Sequence, residues 1–193
     1  MIDSISIHDC GISYLCLHHY HPKRSGMPDE DTELILNFKN RNAKAIRHIE
    51  SEMIAAVIPV AFYLQHQLHC RYIIAAPSSK AAVQNYACEC VCKALVAQFP
   101  WLMYLPQSLQ RFTTVPKSST ARPGERPTFE THINSICYAG EPVNAAGQTI
   151  ILVDDVLTRG ATSSACRDIL IQATHCEQVF GLFVAKTVYG GYV

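Results

Sequence analysis

The chain lacks an excess of charge of either sign. Its 193 residues contain 16 lysines and arginines against 16 aspartates and glutamates, for a formal net charge of zero. This balance excludes a globally basic nucleic-acid binder and an acidic tail protein, although a local patch of either sign is compatible with it. The length and a hydrophobic content of 49% predict one domain of ordinary size with a sizeable core.

Targeting, membrane and nucleotide-binding signatures are also missing. The first ten residues lack the basic start and apolar run of a signal peptide, and no stretch approaches the roughly 18 apolar residues of a membrane span. Neither Gly-x-Gly-x-x-Gly nor Gly-x-x-x-x-Gly-Lys-Ser/Thr is present, which argues against a dinucleotide-binding fold and a P-loop NTPase. We therefore expect a cytoplasmic protein without a membrane partner.

The cysteines give no sign of a disulfide framework. Nine are scattered along the chain, an odd number, and no secretory signal accompanies them. We predict reduced thiols, most of them packed in the core. Cys88, Cys90 and Cys92 fall on a predicted helix, where Cys88 and Cys92 share a face and core packing is the favoured interpretation.

A cluster of zinc-type ligands lies near the N-terminus. It comprises Cys10, Cys16, His18, His19 and His21, and zinc prefers thiolate and imidazole ligands. On a strand, however, alternation places His18 on the opposite face from His19 and His21. No second ligand pair at a familiar spacing accompanies them, so ordinary strand residues are favoured and a metal site is the alternative.

Apolar periodicity predicts an α/β fold. Helical spacing after the capping residue Asp29 predicts helices up to Pro59, and helical spacing recurs between the last two predicted strands. A strand, a loop, a helix and a strand in this order predict a right-handed crossover. We expect a central, mainly parallel sheet flanked by helices over residues 29–193, with an N-terminal arm or hood over residues 1–28. Apolar runs without alternation predict its buried strands at residues 72–76, 149–153 and 179–185.

The remaining segments have weaker patterns. Residues 10–20 predict a strand or an extended arm, and a helix is expected after Lys80 to about Phe99. Residues 101–105 predict another strand. Residues 111–128 are rich in Pro, Thr, Ser, Arg and Lys without either period, which is typical of a functional or disordered loop.

Residues 151–162, Ile-Leu-Val-Asp-Asp-Val-Leu-Thr-Arg-Gly-Ala-Thr, are the sharpest signal in the sequence. The strand delivers Asp154 and Asp155 to its carboxyl end, where open α/β sheets place ligands. The next loop offers hydroxyls and backbone N–H groups at a helix N-terminus, which suit a phosphate. This pattern predicts a sugar-phosphate site. Helix capping by the two acids, or a metal site of another α/β enzyme, is the alternative.

This segment resembles the phosphoribosyl-diphosphate-binding signature of the type I phosphoribosyltransferases. That signature has an apolar strand, two acids, an apolar pair and a loop similar to Thr-Thr-Gly-Ala-Thr. The resemblance implies that Asp154 and Asp155 bind the ribose 2- and 3-hydroxyls. It implies that the 5-phosphate is bound by Thr158, Arg159, Gly160, Ala161 and Thr162, with Arg159 where a second threonine is usual.

Two further loops are expected from the resemblance. A pyrophosphate loop after an earlier strand corresponds to Pro77, Ser78, Ser79 and Lys80, for which a plain helix N-cap is the alternative. A mobile loop that closes over the site would bring cations to the leaving group and exclude water. A solvated connection is equally compatible with its composition. Its basic residues are Arg111, Lys117, Arg122 and Arg126.

The resemblance implies the activity of a Mg²⁺-dependent pentosyltransferase. Phosphoribosyl would pass from phosphoribosyl diphosphate to a nitrogen acceptor, expected to be a nucleobase, with release of pyrophosphate. The catalytic residues would be Asp154, Asp155 and Lys80, which orient the ribose and stabilise the leaving group. Mg²⁺ would be held mainly through the substrate, with Asp154 and Asp155 as its protein ligands. A homodimer is among the assemblies that the resemblance allows.

The order of elements is most similar to the ComF-like branch of this family, which is associated with DNA uptake. Members of that branch commonly begin with paired Cys-x-x-Cys zinc knuckles, and this sequence has none. The alternative function, which Arg159 in the phosphate loop leaves open, is a non-catalytic one. A module that retains the phosphoribosyl-diphosphate pocket would serve regulation, or assembly with nucleic-acid-processing machinery.

Overall fold

The computed structural model describes residues 6–7, 11–21, 29–116 and 126–188. The strands are β1 (Ser6–Ile7), β2 (Ser13–Tyr20), β3 (Cys70–Ala75), β4 (Met103–Tyr104), β5 (Leu109–Arg111), β6 (Ile136–Tyr138), β7 (Thr149–Leu157) and β8 (Gln178–Thr187). The helices are α1 (Glu30–Lys39), α2 (Ala43–Val57), α3 (Tyr86–Gln98), α4 (Phe129–Ile133) and α5 (Ala161–Thr174).

Six strands form the main sheet in the order β1-β2-β8-β7-β3-β4. The five strands from β2 to β4 in this order are parallel to their neighbours, and β1 pairs with β2 in the antiparallel sense. A second, antiparallel sheet consists of β5 and β6. The expectation of an α/β fold with a mainly parallel central sheet is therefore confirmed.

Helices cover both faces of this sheet. Alternate residues of β7 point to opposite sides. Ile151 and Val153 belong to the core cluster that includes α1, α2 and α3, whereas Ile150 and Leu152 pack with residues of α5. Burial on both faces explains why β7 is a continuous apolar run rather than an alternating one.

The described part of the predicted N-terminal arm lies in the main sheet. β2 pairs with β8 along its length, from Ser13 opposite Phe180 to Tyr20 opposite Thr187, and its Leu15 and Tyr20 are buried in the core. This placement depends on pairing with a strand far along the chain, which local patterns do not reveal. Residues 1–5, 8–10 and 22–28 of the predicted arm lie outside the described residues.

Helix boundaries differ from the predicted ones in two places. α2 ends at Val57, as Pro59 suggested, but the chain continues through a 3₁₀ turn at Ile58–Val60 and a π turn at Tyr63–Gln67. α3 begins only at Tyr86, so the residues from Ser78 to Asn85 form a loop. None of the helices in the described ranges is long and apolar enough to cross a membrane.

The described cysteines are free thiols, in agreement with the prediction. Cys88 and Cys92 are fully buried on the core face of α3, while Cys90 is half-buried. Near the N-terminus, His18 contacts Glu52 at 2.9 Å and Asp31 at 3.2 Å. No group of three or more His, Cys, Asp and Glu side chains among the described residues could hold a metal ion.

Candidate functional site

An open cleft of about 540 Å³ lies at the carboxyl ends of β3 and β7. These strands are neighbours, with Ala75 opposite Val153, so the loops that follow them meet at one edge of the sheet. This is the edge at which open α/β sheets place ligands. The cleft is lined by parts of the loops at residues 77–85 and 158–160, the start of α5 and the end of α1.

The strand predicted to end at Val153 continues to Leu157, so Asp154 and Asp155 lie within β7 rather than after it, and they line the cleft. Asp154 is buried and Asp155 is half-buried. The backbone N–H of Asp155 donates to the Asp154 carboxylate at 2.8 Å. Burial, followed by the charge of Asp155, raises the pKa of Asp154 above its ordinary value. The ionised form of Asp154 is therefore disfavoured. A cation or hydroxyl donors in the cleft would stabilise it.

Lys39 supplies one such cation and was not predicted as a site residue. It is the last residue of α1, and its Nζ lies 3.3 Å from Oδ1 of Asp155. Burial lowers the pKa of Lys39, but the charges of Asp155 and Asp154 outweigh this effect and raise it. The contact joins residues that are distant in sequence, so no local signal could have revealed it.

The 158–162 segment leads from β7 into α5. Gly160 is the N-cap of α5, with a φ of 74° and no side-chain cap. This left-handed conformation favours glycine. The N–H of Ser164 donates to Gly160 O at 2.7 Å, so residues 161–163 precede the first intrahelical hydrogen bond. Their N–H groups and the positive end of the helix dipole make this segment suitable for an anion.

The residues of this segment differ in exposure but share the cleft. Thr158, Ala161 and Thr162 are half-buried, Gly160 is buried and Arg159 is exposed. All five line the cleft. The predicted phosphate loop and the acidic pair therefore share one cavity.

The predicted pyrophosphate loop lies beside the acidic pair. Ala76 donates its N–H to Val153 O at 2.8 Å, and Pro77, Ser78 and Ser79 line the cleft. Lys80, predicted as catalytic, is exposed and is not among the lining residues. Because α3 begins at Tyr86, Ser78 and Ser79 do not cap a helix.

Residues 111–115 brace this loop. Ala82 donates its N–H to Arg111 O at 2.9 Å, and Val115 donates to Ser79 O at 3.0 Å. Ala81 donates its N–H to the Thr114 hydroxyl at 2.9 Å. These bonds hold the loop to the small β5–β6 sheet.

Arg111, predicted as part of a mobile loop, is instead the last residue of β5 and is buried. Its Nε donates to Ser78 O at 2.7 Å, and its two terminal nitrogens contact Ser135 Oγ and His132 Nδ1. Burial lowers its pKa. A three-residue strand is too short to show a period, which explains why the sequence did not indicate it.

The other predicted basic residues have different outcomes. Arg126 is half-buried and lines the cleft. Lys117 and Arg122 lie outside the described residues, so their part in a closing loop stays a prediction.

His132 is a second site residue that sequence reasoning missed. It lies in α4, is buried and lines the cleft. Its Nε2 is 3.2 Å from the Thr162 hydroxyl. Burial, followed by the charge of Arg111, lowers its pKa to about 4, so the imidazole is neutral at pH 7.

No protein-family model matches the chain, and no curated protein matches its sequence. The fold and the cleft define an α/β protein with a ligand-binding cavity at the carboxyl ends of its parallel strands. Membership of the type I phosphoribosyltransferases stays a prediction from residues 151–162.

Proposed function

We propose that the protein is a Mg²⁺-dependent phosphoribosyltransferase with phosphoribosyl diphosphate as its donor substrate. One observation carries the proposal. A single cleft is lined by an acidic pair, by the anion-binding start of α5 and by the Pro77–Ser79 segment. Ribose hydroxyls, a 5-phosphate and a 1-diphosphate are the three groups that such an arrangement can bind together.

The acidic pair would orient the ribose. Asp154 and Asp155 would accept hydrogen bonds from vicinal hydroxyls, and Lys39 holds the Asp155 carboxylate through an ion pair of 3.3 Å. The first turn of α5 would bind the 5-phosphate through its N–H groups. Fixing the sugar at both ends places C1 for attack, and such positioning supplies much of the rate in transfer reactions.

The diphosphate would lie against Ser78 and Ser79, with Arg126 as one of the arginines that line the cleft. When the acceptor nitrogen attacks C1, the C1–O bond breaks and pyrophosphate leaves with the electron pair. Donors aimed at the leaving oxygens stabilise the charge that develops there. Lys80 is exposed in the free protein, and its predicted role requires that it contact the diphosphate in the complex.

The residues present fit Mg²⁺. This ion is usually bound by one or two carboxylates together with substrate phosphates rather than by an all-protein cage. Asp154 and Asp155 provide two carboxylates, and because burial, followed by the charge of Asp155, raises the pKa of Asp154, a bound cation would favour its ionised form. When bound, Mg²⁺ would neutralise the diphosphate and make it a better leaving group.

The acceptor would bind in the part of the cleft between the end of α1 and the start of α3. Tyr20, Asn40 and Arg41 line it on one side and Asn85 and Tyr86 on the other. Tyr86 is exposed, and the guanidinium of Arg41 lies 5.8 Å from its ring centroid. A planar nitrogen heterocycle, such as a nucleobase, can stack on such a ring and bond to the amides.

Pyrophosphate release tests the proposal. The purified protein is incubated with phosphoribosyl diphosphate and Mg²⁺ across a panel of nucleobases and amines. We expect release with at least one acceptor, and a fall in kcat/KM on the order of 100-fold in Asp154→Asn and Asp155→Asn. Asp168→Asn is the matched control, because Asp168 pairs with Arg167 at 2.8 Å and is not among the residues that line the cleft.

A non-catalytic phosphoribosyl-diphosphate-binding module is the second candidate. Two observations favour it: Lys39 already forms an ion pair with Asp155, and Arg159 replaces the second threonine of the signature and is exposed. Binding that depends on Asp154 and Asp155, without turnover for any acceptor, would support this candidate against the enzyme. Absence of phosphoribosyl-diphosphate binding would exclude both.

A further inference from the structure

A chain of hydrogen bonds joins the two loops of the cleft. Nε of Arg111 donates to Ser78 O at 2.7 Å, and Nη2 of Arg111 lies 3.1 Å from Nδ1 of His132. Nε2 of His132 lies 3.2 Å from Oγ1 of Thr162. Arg111 and His132 are both buried, so water competes little with these bonds.

The chemistry of the groups fixes the direction of each bond. A guanidinium only donates, so Nδ1 of His132 is the acceptor and the proton of the neutral imidazole lies on Nε2. Nε2–H therefore donates to Thr162 Oγ1. With His132 as its donor, the Thr162 hydroxyl can direct its own proton into the cleft that this residue lines.

We propose that Arg111, His132 and Thr162 form a bridge that couples the two anion-binding loops, with His132 as a positioning residue for the Thr162 hydroxyl. A diphosphate that orders the Ser78 segment then favours binding of the 5-phosphate at the start of α5, and the effect is reciprocal. The inference rests on the proposed function, because it takes both loops as phosphate sites.

Separate ligands for the two loops make the coupling measurable. Ribose 5-phosphate probes the 158–162 segment, and Mg²⁺-pyrophosphate probes the 77–80 loop. The linkage factor is the affinity for ribose 5-phosphate at saturating pyrophosphate divided by the affinity without it, both measured by titration calorimetry. The two anions also repel each other, and this repulsion contributes to the linkage factor. The contribution of the bridge is therefore measured as the ratio of the wild-type linkage factor to the linkage factor of a variant.

Two substitutions of His132 cut the bridge on different sides. His132→Asn keeps an acceptor near the Nδ1 position but no atom that reaches Thr162. His132→Gln reaches Thr162 with an amide donor but offers no acceptor at the Nδ1 position. We expect each to lower the linkage factor by about fivefold or more.

Thr162 supplies a conservative rescue. Thr162→Ser retains the hydroxyl and should keep the wild-type linkage factor, whereas Thr162→Val, of similar shape, should lose it as His132→Asn does. If the roles of His132 and Thr162 were merely structural, their substitution would lower the affinity for each ligand alone and leave the linkage factor unchanged. Thermal unfolding of each variant shows whether it is folded.

Thr114→Val is the matched control. It removes the acceptor of the Ala81 N–H, which braces the same loop outside the bridge. We expect weaker pyrophosphate binding and an unchanged linkage factor.

Equal linkage factors in the wild type, both His132 variants and Thr162→Val would overturn the bridge and leave the proposed function standing. A wild type that binds neither ligand would instead remove the proposed function, and the bridge with it. Should the His132 variants fail to fold, the Thr162→Ser and Thr162→Val pair decides the question.

Discussion

The ammonium of Lys39 lies 3.3 Å from the carboxylate of Asp155, and most of the chain separates the two residues. Lys39 is the last residue of α1, whereas Asp155 follows the apolar run at the start of β7 and its neighbour Asp154. The same ammonium lies 5.8 Å from the centroid of the Tyr20 ring on β2. One cation therefore connects the first helix, an outer strand and the acidic pair of the cleft.

Lys39→Met should destabilise the protein modestly at neutral pH. The side chains of Lys39 and Asp155 are 33% and 25% exposed, so solvent screening limits the pair to about 1 kcal/mol. Because the folded pKa of Lys39 is raised, this contribution is present below the ordinary lysine pKa and is lost as the pH rises through the folded value. Urea unfolding at neutral pH and above the lysine range measures it.

The control for Lys39→Met is Lys44→Met, at an exposed position of α2. This substitution should leave the free energy of unfolding nearly unchanged at both pH values. An equal loss in both variants would contradict a specific contribution from the Lys39 pair.

Asp154→Asn should stabilise the free protein increasingly as the pH rises. Burial and the charge of Asp155 raise the folded pKa of Asp154 from its ordinary value of 3.8 to about 7. The folded state therefore binds this proton more tightly than the unfolded state, and stability falls as the pH rises from the ordinary aspartate range to the folded pKa. Asparagine removes that penalty.

The measurement is the free energy of unfolding of wild type and Asp154→Asn across this pH range. A gain that is larger in acid than near neutrality would contradict the predicted sign. Stabilisation together with lost ligand binding would show that the carboxylate serves the site at the expense of the fold.

His132→Asn should make the free energy of unfolding less dependent on pH in the acid range. Burial, followed by the charge of Arg111, lowers the folded pKa of His132 from its ordinary value of 6.5 to about 4. The unfolded state therefore binds more protons, and wild-type stability is lost as the pH falls from about 6.5 towards 4. The loss attributable to this group is a few kcal/mol at most.

Unfolding at pH values on either side of that window compares the wild type, His132→Asn and His66→Asn. His66 is exposed, so its substitution should keep the wild-type slope. If His132→Asn kept the wild-type slope as well, another group would be responsible for the acid sensitivity.

Gly160→Ala should lose both stability and anion binding. Gly160 has a φ of 74° at the start of α5, and an L side chain in this conformation costs about 1 kcal/mol. Gly147→Ala is the matched control, because Gly147 has a φ of 70°, has open space around it and is not a lining residue. Similar losses in Tm are expected, with weaker ribose 5-phosphate binding only in Gly160→Ala.

Local patterns predicted the centre of the molecule well. β7 begins with an apolar run that leads to Asp154 and Asp155, and the helical face of α2 contains Ile46, Ile49 and Met53, all of them buried. In both elements the period and the burial are set by residues close together in sequence. The position of the acidic pair at the sheet edge follows directly.

The rest of the site depends on long-range contacts, which limited its prediction from the sequence. Lys39 contacts Asp155 on β7 and His132 contacts Thr162 on α5, which are distant in sequence, and Arg111 lies on a strand of three residues. Ser78 and Ser79 have the composition of a helix cap, yet backbone bonds to residues 111–115 keep this segment as a loop. No local signal separates these outcomes.

The position of β8 between β2 and β7 sets an order of assembly. β2, at residues 13–20, has no parallel partner among the described strands other than β8, at residues 178–187. During synthesis β2 therefore remains without this partner until β8 has left the ribosome. Such long-range pairing makes for slow folding.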